Sequence, residues 1–393
     1  MNHEPDQKKS PLEAARAMRR DPGCVFLDSG MPGQPGISRL SSRPDLVLAG
    51  TDWDRLEAEL DRRSTTSPAE GAAIGFVDFD GRFHFGFYDR VTSICHAGGN
   101  ATRPPENFHV PDRPLTCGVG FRPLLPCEDF LQMVRRAKEY IAAGDIYQVC
   151  LAHPFEATSG AGCAWDYFER LYTISPAPYA AYLDTGELQI ASASPECFLR
   201  MEGRRIVTRP IKGTRPRRQD PVRDARSADD LVSSPKEIAE LIMITDLERN
   251  DLGKVCEFGS VHTPELLRLE RYEQVFHLVS TVEGRLRDGV SHVRALRECF
   301  PGGSISGAPK KRALEIIREL EPHPRGLYTG AIGYFGYSGE SQFSIAIRTA
   351  IFQNGRAGFH VGAGIVADSI PEMEWQETLD KAAGLLAAGG HVA

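Results

Sequence analysis

Four glutamates stand in two pairs at helical spacing. Glu237 and Glu240 lie three apart in PKEIAELIMITDLERNDL, and Glu374 and Glu377 lie three apart in MEWQETLDKAAGLLAA. A spacing of three places both members of a pair on one helix face. Two such faces brought together offer several carboxylate oxygens to Mg²⁺, which takes oxygen ligands and keeps some of its water. The same spacing is common on solvated helix surfaces, and no local motif makes the two pairs meet.

Other segments carry groups suited to a small anion. The loop PGGSISGAPKKR (301–312) is rich in Gly and Ser and leads into a helical pattern. Exposed backbone N–H groups at a helix start bind carboxylate or phosphate. The loop is not a Walker A sequence, because G-x-x-x-x-G-K-[ST] is absent, and a plain turn with an N-cap explains it too. In VGAG (361–364), glycines weaken a strand unless something must approach the backbone. A carboxylate resting on those amides or close packing of another element answers equally well. Arg348 falls in SIAIRTAIF among apolar neighbours and asks for a buried anion, a bound carboxylate or a structural salt bridge. Lys212, in RPIKGTRPR, precedes Gly213, which suggests a tight turn aiming the amine at a site. A desolvated lysine can act as a nucleophile. Glu196 in SASPE and His277 in FHLVS are candidate proton-transfer groups. Each of these three, taken alone, also reads as a structural residue.

The elements that must position these groups follow from periodicity. TDWDRLEAELDRR reads as a short amphipathic helix, and AAIGFVDFDGRFHFGFYD as a hairpin about Asp80-Gly81. Residues 1–120 form a β-rich N-terminal region, and 121–393 alternate helices and strands. Polar stretches at 64–71 and 98–118 read as loops, the second as a boundary or long crossover. CEDFLQMVRRAKEYIAAGD, the segment from Pro235, APKKRALEIIREL and the segment from Met373 read as helices. AYLDTGELQIASASPECFLRMEGRRIVTRPIKGT reads as three strands, and SQFSIAIRTAIF as one. Hairpins dominate over strict βαβ alternation, so the fold class is α+β, with helices packed on large antiparallel sheets.

Composition narrows the classes. The 393 residues are 41% hydrophobic and 25% charged, with a formal net charge of -7. That is a globular composition without a basic stripe for nucleic acid. No apolar run of spanning length occurs, so no membrane partner is expected, and no apolar leader opens the chain. The nine cysteines form no C-x-x-C pair, which suggests reduced thiols in a cytoplasmic protein.

Ten blocks, in order, resemble the chorismate-binding family of anthranilate, aminodeoxychorismate, isochorismate and salicylate synthases. They are GDIYQVCLA, SASPECF, RPIKGTRPR, ITDLERNDLG, FHLVSTVEG, PGGSISGAPKKRALEII, YTGAIGY, SIAIRT, HVGAGIVADS and EWQETLDKA, and they cover about residues 120–388. LDSG (27–30) also resembles the start of the smaller domain in amino-group-using members. The resemblance implies a sandwich of antiparallel sheets with a cleft. It implies Mg²⁺ held mainly by Glu240 and Glu377, with Glu237 and Glu374 in support. The ring carboxylate of chorismate would meet the metal and amides of Ser306, Gly307 and Ala308. The enolpyruvyl carboxylate would meet Arg348, Tyr328 and the backbone of Gly362, Ala363 and Gly364.

Two positions separate the members. Those that add water carry Lys where this chain has Gln148, which takes no proton. Those that make anthranilate carry a small residue where this chain has Lys212. Lys212 resembles the aminodeoxychorismate synthases, in which this lysine attacks ring C2 and ammonia then replaces it through C4, with Glu196 protonating the departing hydroxyl. His277 matches a histidine that assists pyruvate loss in anthranilate formation. Ser304 stands where anthranilate synthases usually carry Thr. No glutaminase block occurs, so the resemblance implies a separate glutaminase subunit feeding ammonia, and a separate lyase to complete 4-aminobenzoate on the way to folate. The alternative member is anthranilate synthase component I.

Overall fold

The computed structural model describes residues 10–30, 36–66, 70–96, 118–160, 163–272 and 275–390. The loop read at 98–118 lies almost wholly outside the described residues, as do positions 67–69 of the loop read at 64–71. Local chemistry explains the helices that matter later. Pro235–Gly253 opens at Ser234, whose hydroxyl accepts from the Glu237 N–H, with Pro235 in its first turn. Pro371–Ala388 closes the described chain and buries Glu374, Thr378, Ala382 and Leu385. Asp80-Gly81 turns the hairpin of Ala72–Val77 and Phe83–Tyr88, with Gly81 at φ +83°. Phe83, Phe85 and Phe87 are all buried, as two-residue alternation requires.

The described strands form two 10-stranded sheets with antiparallel pairings. One runs Gly307–Ala308, Gln148–Thr158, Arg356–Ile365, Thr349–Gln353, Gln189–Ser194, Tyr179–Asp184, Val25–Asp28, Gly36–Ser41, Thr92–His96. The other runs Ile211–Pro216, Val275–Arg285, Arg205–Arg209, Cys197–Glu202, Glu340–Ile345, Ala331–Gly336, Ala72–Val77, Phe83–Tyr88, Leu46–Gly50. Two short partners, Arg122–Pro123 and His262–Arg271, add to Gln148–Thr158 and Val275–Arg285. The strands of the N-terminal region complete one end of each sheet and form no sheet of their own. There the sheets pack face to face through Val25, Ile74, Leu183, Ile190 and Ile332. Cys163–Ile174 and Pro371–Ala388 pack on the first sheet, and Trp53–Thr66 and His292–Cys299 on the second. The α+β expectation of helices on antiparallel sheets is borne out.

Several element readings are corrected. The segment 179–216 holds five strands rather than three. SQFSIAIRTAIF is two strands, Glu340–Ile345 in one sheet and Thr349–Gln353 in the other. The loop before Lys310–Leu320 carries a two-residue strand, Gly307–Ala308, paired with Gln148 and Val149. An apolar run reads the same whether it stays in one sheet or passes between two. Seven described cysteines are free. Cys163 is disulfide-bonded, which corrects the reading of nine reduced thiols. Among the described residues no helix is long and apolar enough to cross a membrane.

Phe85 is fully buried, with its ring 5.3 Å from Phe335 and 6.2 Å from Phe343. Phe85→Ala should therefore destabilise the protein by about 3–5 kcal/mol in denaturant unfolding. A loss below about 1 kcal/mol would show that the N-terminal hairpin contributes little to the common core.

Candidate active site

Two chain segments pass between the sheets side by side. Gln189–Ser194 leads through Pro195-Glu196 to Cys197–Glu202, and Glu340–Ile345 leads through Ile347-Arg348 to Thr349–Gln353. They are stitched together by Ala193 N–H to Arg348 O at 3.0 Å, Ile345 N–H to Glu196 O at 3.1 Å, and Ser194 Oγ to Ile345 O at 2.6 Å. Beyond these crossings lies a cavity of about 440 Å³ between the sheets, within the usual range for small-molecule sites. Arg348 sits at the crossing with φ +51°, and its guanidinium lines the cavity. Burial pulls it below the ordinary arginine value. Among the described residues it has neither a hydrogen-bond acceptor nor a carboxylate partner. The structural salt bridge that the sequence left open is thus not formed there.

Lys212 enters from the opposite sheet. Ile211–Pro216 pairs Lys212 with Leu278 and Thr214 with His277, so Gly213 is an extra residue. Gly213 lies at φ +73°. The turn expected after Lys212 is instead a bulge inside a strand, and bulges re-aim the side chains beside them. Lys212 Nζ donates to Ser304 O at 3.1 Å, and Glu196 lines the same cavity. Burial pushes the Glu196 carboxyl above its ordinary range, against the opposing influence of the Ser304 side chain and the Lys212 charge. Burial lowers the Lys212 ammonium, but Cys150, Glu240, Glu196 and Glu377 reverse this and the balance lies above the ordinary lysine value. His277 lines the cavity with Nδ1 3.0 Å from Thr214 Oγ1. Burial and Arg348 bring it down to about 4, so it is neutral at pH 7.

The third wall is built by helix faces and glycines. Glu237 and Glu240 on Pro235–Gly253 and Glu377 on Pro371–Ala388 line the cavity. Glu374 lies behind them, 2% exposed, with Oε2 buried and without a hydrogen-bond partner. Among the described residues no three acidic, His or Cys side chains form a ready-made metal cage. Glu240 is pushed up by burial, against Lys212 and Lys236. Glu377 is partly exposed, and Lys381 and Lys236 outweigh its desolvation and hold it below the ordinary range. Gly362 and Gly364 lie on Arg356–Ile365 where Thr349–Gln353 no longer pairs with it. The Gly362 carbonyl accepts from Lys381 at 2.9 Å, so that strand edge, with its N–H groups, faces away from Gln148–Thr158. A Cβ at Gly362 would lie 2.6 Å from the Leu151 carbonyl oxygen and 3.0 Å from the Tyr328 hydroxyl, and one at Gly364 2.6 Å from Gln148 Nε2. Close packing against these neighbours accounts for both glycines.

The cavity therefore brings together Lys212, Glu196, His277, Arg348, Tyr328, Ser304, Gly362, Ala363, Gly364, Glu237, Glu240 and Glu377. It does not bring in the other five. Gln148 is fully buried behind Gly364, with Nε2 3.5 Å from Glu240 Oε2. Ser306 turns its hydroxyl onto Gly302 O at 2.9 Å, and Gly307 and Ala308 pair with Val149 and Gln148. Glu374 completes the five. Sequence reasoning missed Lys236, Lys381, Arg215 and His360, which also line the cavity. Lys236 and Lys381 stand four residues from Glu240 and Glu377, a readable ion-pair spacing. His360 carried no local signal. Arg325 supports the wall from behind, donating to Cys150 O at 2.8 Å, to Thr329 Oγ1 at 3.1 Å and to both carboxylate oxygens of Glu321.

A family model for chorismate binding enzymes matches residues 116–387. The chain belongs to the chorismate-binding enzyme family. It is 48% identical over 270 residues to anthranilate synthase component 1 of Thermus thermophilus, covering 66% of this chain and 56% of that one. It is 44% identical over 270 residues to aminodeoxychorismate synthase component 1 of Bacillus subtilis, covering 69% and 57%. The matched stretch thus spans little more than half of either relative. The crystal structure of anthranilate synthase component I from Streptococcus pneumoniae superposes with a TM-score of 0.73 at 28% identity, covering 98% of this chain and 95% of that one. This member of the family places its catalytic candidates where the two sheets part.

A Cβ at Gly213 would lie 2.6 Å from Leu231 Cδ1 and 3.0 Å from Glu237 Oε2, at a φ that disfavours any side chain. Gly213→Ala should destabilise the protein by about 1–3 kcal/mol in urea unfolding. A neutral result would mean that the bulge relaxes without strain.

Proposed function

We propose that this chain aminates chorismate at ring C4, giving 4-amino-4-deoxychorismate, with ammonia supplied from glutamine by a separate glutaminase subunit. The observation that carries this reading is that Lys212, Glu196 and Ser304 line one cavity, with Lys212 Nζ held on the Ser304 carbonyl at 3.1 Å. In this reading Lys212 attacks C2, both ring double bonds shift, and the C4 hydroxyl leaves as water on a proton from Glu196. Ammonia then adds at C4, both double bonds shift back, and the bond from C2 to Lys212 breaks. The proton lost by the new amine restores Glu196. Chorismate and ammonia thereby become the amino product and water.

The other residues bind and orient. Arg348, Tyr328 and the backbone of Gly362, Ala363 and Gly364 would receive the enolpyruvyl carboxylate, and the unpaired guanidinium supports that assignment. Glu240 and Glu377, with Glu237 and Glu374, would hold Mg²⁺. The buried, unpartnered oxygen of Glu374 and the all-carboxylate donor set fit an oxygen-seeking cation. Bound there, Mg²⁺ would supply a Lewis-acid contact for the ring carboxylate and neutralise the acidic wall. Lys212 must be uncharged to attack. Cys150, itself pushed up by burial, is a neutral thiol at pH 7 and exerts no pull on Lys212. With Glu240 and Glu377 neutralised and Glu196 in its acid form, burial is the influence left, and it favours the free amine.

A second reading, amination at C2 to anthranilate, is favoured by the name of the Thermus thermophilus relative and by His277 facing the cavity. Products distinguish the two. Incubation with chorismate, Mg²⁺ and ammonium should give 4-aminobenzoate only when an aminodeoxychorismate lyase is added. Anthranilate without the lyase would overturn the C4 assignment. Lys212→Ala should lose the C4 product or shift it to C2; an unchanged C4 product would remove the nucleophile role.

Glu196 must be protonated to assist departure of the hydroxyl. Its raised value keeps the acid form to higher pH, so at a fixed concentration of free ammonia the acid assistance to C4 amination should be lost as pH rises through it. Glu196→Gln should lower kcat by about 10²–10⁴-fold. An unchanged alkaline limb in the wild type and variant would exclude Glu196 as the acid.

A further inference from the structure

Each carboxylate in the acidic wall already has a basic partner. Arg215 reaches Glu237 at 3.3 Å, and Lys381 reaches Glu377 at 2.7 Å. Lys236 is shared, with Nζ 3.4 Å from Glu374 Oε1 and 3.9 Å from Glu240 Oε1. The side chains differ in burial: Lys236 is 46% exposed, Glu374 3% and Glu240 11%. They also differ in anchoring. Lys381 also donates to Gly362 O, and Arg215 to Thr214 O. Among the described residues Lys236 donates to no backbone carbonyl. The second oxygen of Glu374 remains buried and unpartnered.

Two nearly buried carboxylates without a counter-charge would be strongly unfavourable, and Lys236 is a cation within 4 Å of both. Lysine suits a temporary role. Its ammonium is a compact point charge on a flexible stem and gains full hydration by swinging outward. A divalent cation makes stronger contacts to the same oxygens and can use the idle one on Glu374.

We propose that Lys236 is an internal counter-ion that holds the Glu240–Glu374 position in the metal-free protein and retracts to solvent when Mg²⁺ enters. Lys236 thereby sets the metal affinity and keeps the carboxylate wall folded before loading. The inference rests on the Mg²⁺ reading above. It assigns Lys236 a positioning role through the carboxylates and no contact with substrate.

The test uses the full chain and Mg²⁺ alone, without chorismate. Calorimetric titration and thermal melting compare the wild type with Lys236→Met and Lys236→Arg. Lys236→Met should bind Mg²⁺ at least about tenfold more tightly, because a competing charge is gone. Its metal-free form should melt below the wild type, and saturating Mg²⁺ should close the gap. Lys236→Arg should bind Mg²⁺ no more tightly than the wild type. In the wild type, acylation of Lys236 by an amine-reactive ester, read by mass spectrometry, should increase when Mg²⁺ is added. That labelling needs no variant. Mg²⁺ binding by the wild type with equal affinity in Lys236→Met, or with unchanged Lys236 labelling, overturns the counter-ion role while leaving the metal reading intact. Absence of Mg²⁺ binding in all three chains overturns both.

Discussion

The paired crossing between the sheets is the constraint on which the site depends. Two strands of a continuous sandwich would fill the space between sheets with side chains. Here two adjacent segments leave one sheet and enter the other at the same level, held by the Ala193–Arg348 and Ile345–Glu196 backbone bonds. On one side of that seam the sheets close on Val25, Ile74, Leu183 and Ile332. On the other they part, and the residues at the seam face a cavity. Glu196 and Arg348 occupy corresponding places in the two crossings, so a single backbone arrangement delivers an acid and a cation to one space.

Charge is the second organising principle. The chain carries a formal net charge of -7, yet five basic and five acidic side chains line the cavity. Arg215–Glu237, Lys236–Glu240 and Lys381–Glu377 pair along its wall. Arg325 and Glu321 form a buried pair behind the wall, and that pair also satisfies the Cys150 carbonyl and the Ala152 amide. Arg348 lacks a partner among the described residues, which leaves one cation available to an incoming anion. Burial then separates the proton-holding groups, pushing Glu196 up and His277 down.

Much of this was legible in the sequence. Helix existence followed from periodicity, and the Asp80-Gly81 hairpin from its turn pair. Twelve of the named site residues meet in the cavity. The rest was hidden for physical reasons. The apolar run through Arg348 gave no sign of changing sheets, because burial on both faces erases the alternation that reports a strand's surroundings. The bulge at Gly213 resembled a turn, since both use a left-handed glycine. Ser306, Gly307 and Ala308 read as a ligand-binding turn, but pairing with the edge of Gln148–Thr158 withdraws them from the cavity. Glu374 and Gln148 lie one layer behind the wall, a depth that spacing along a helix or strand does not encode.

The Gly213 bulge also separates two demands that a strand residue normally meets together. A regular strand position must satisfy its ladder and pack its side chain. At Lys212 the ladder is kept on one side of the extra residue and resumed at Thr214, while the side chain lines the cavity with its amine on the Ser304 carbonyl. The sheet is therefore indifferent to which residue occupies position 212, though the chemistry inside the cleft is not. A scaffold built this way can diversify its reactions by exchanging a single tenant, with no repacking of the walls around it.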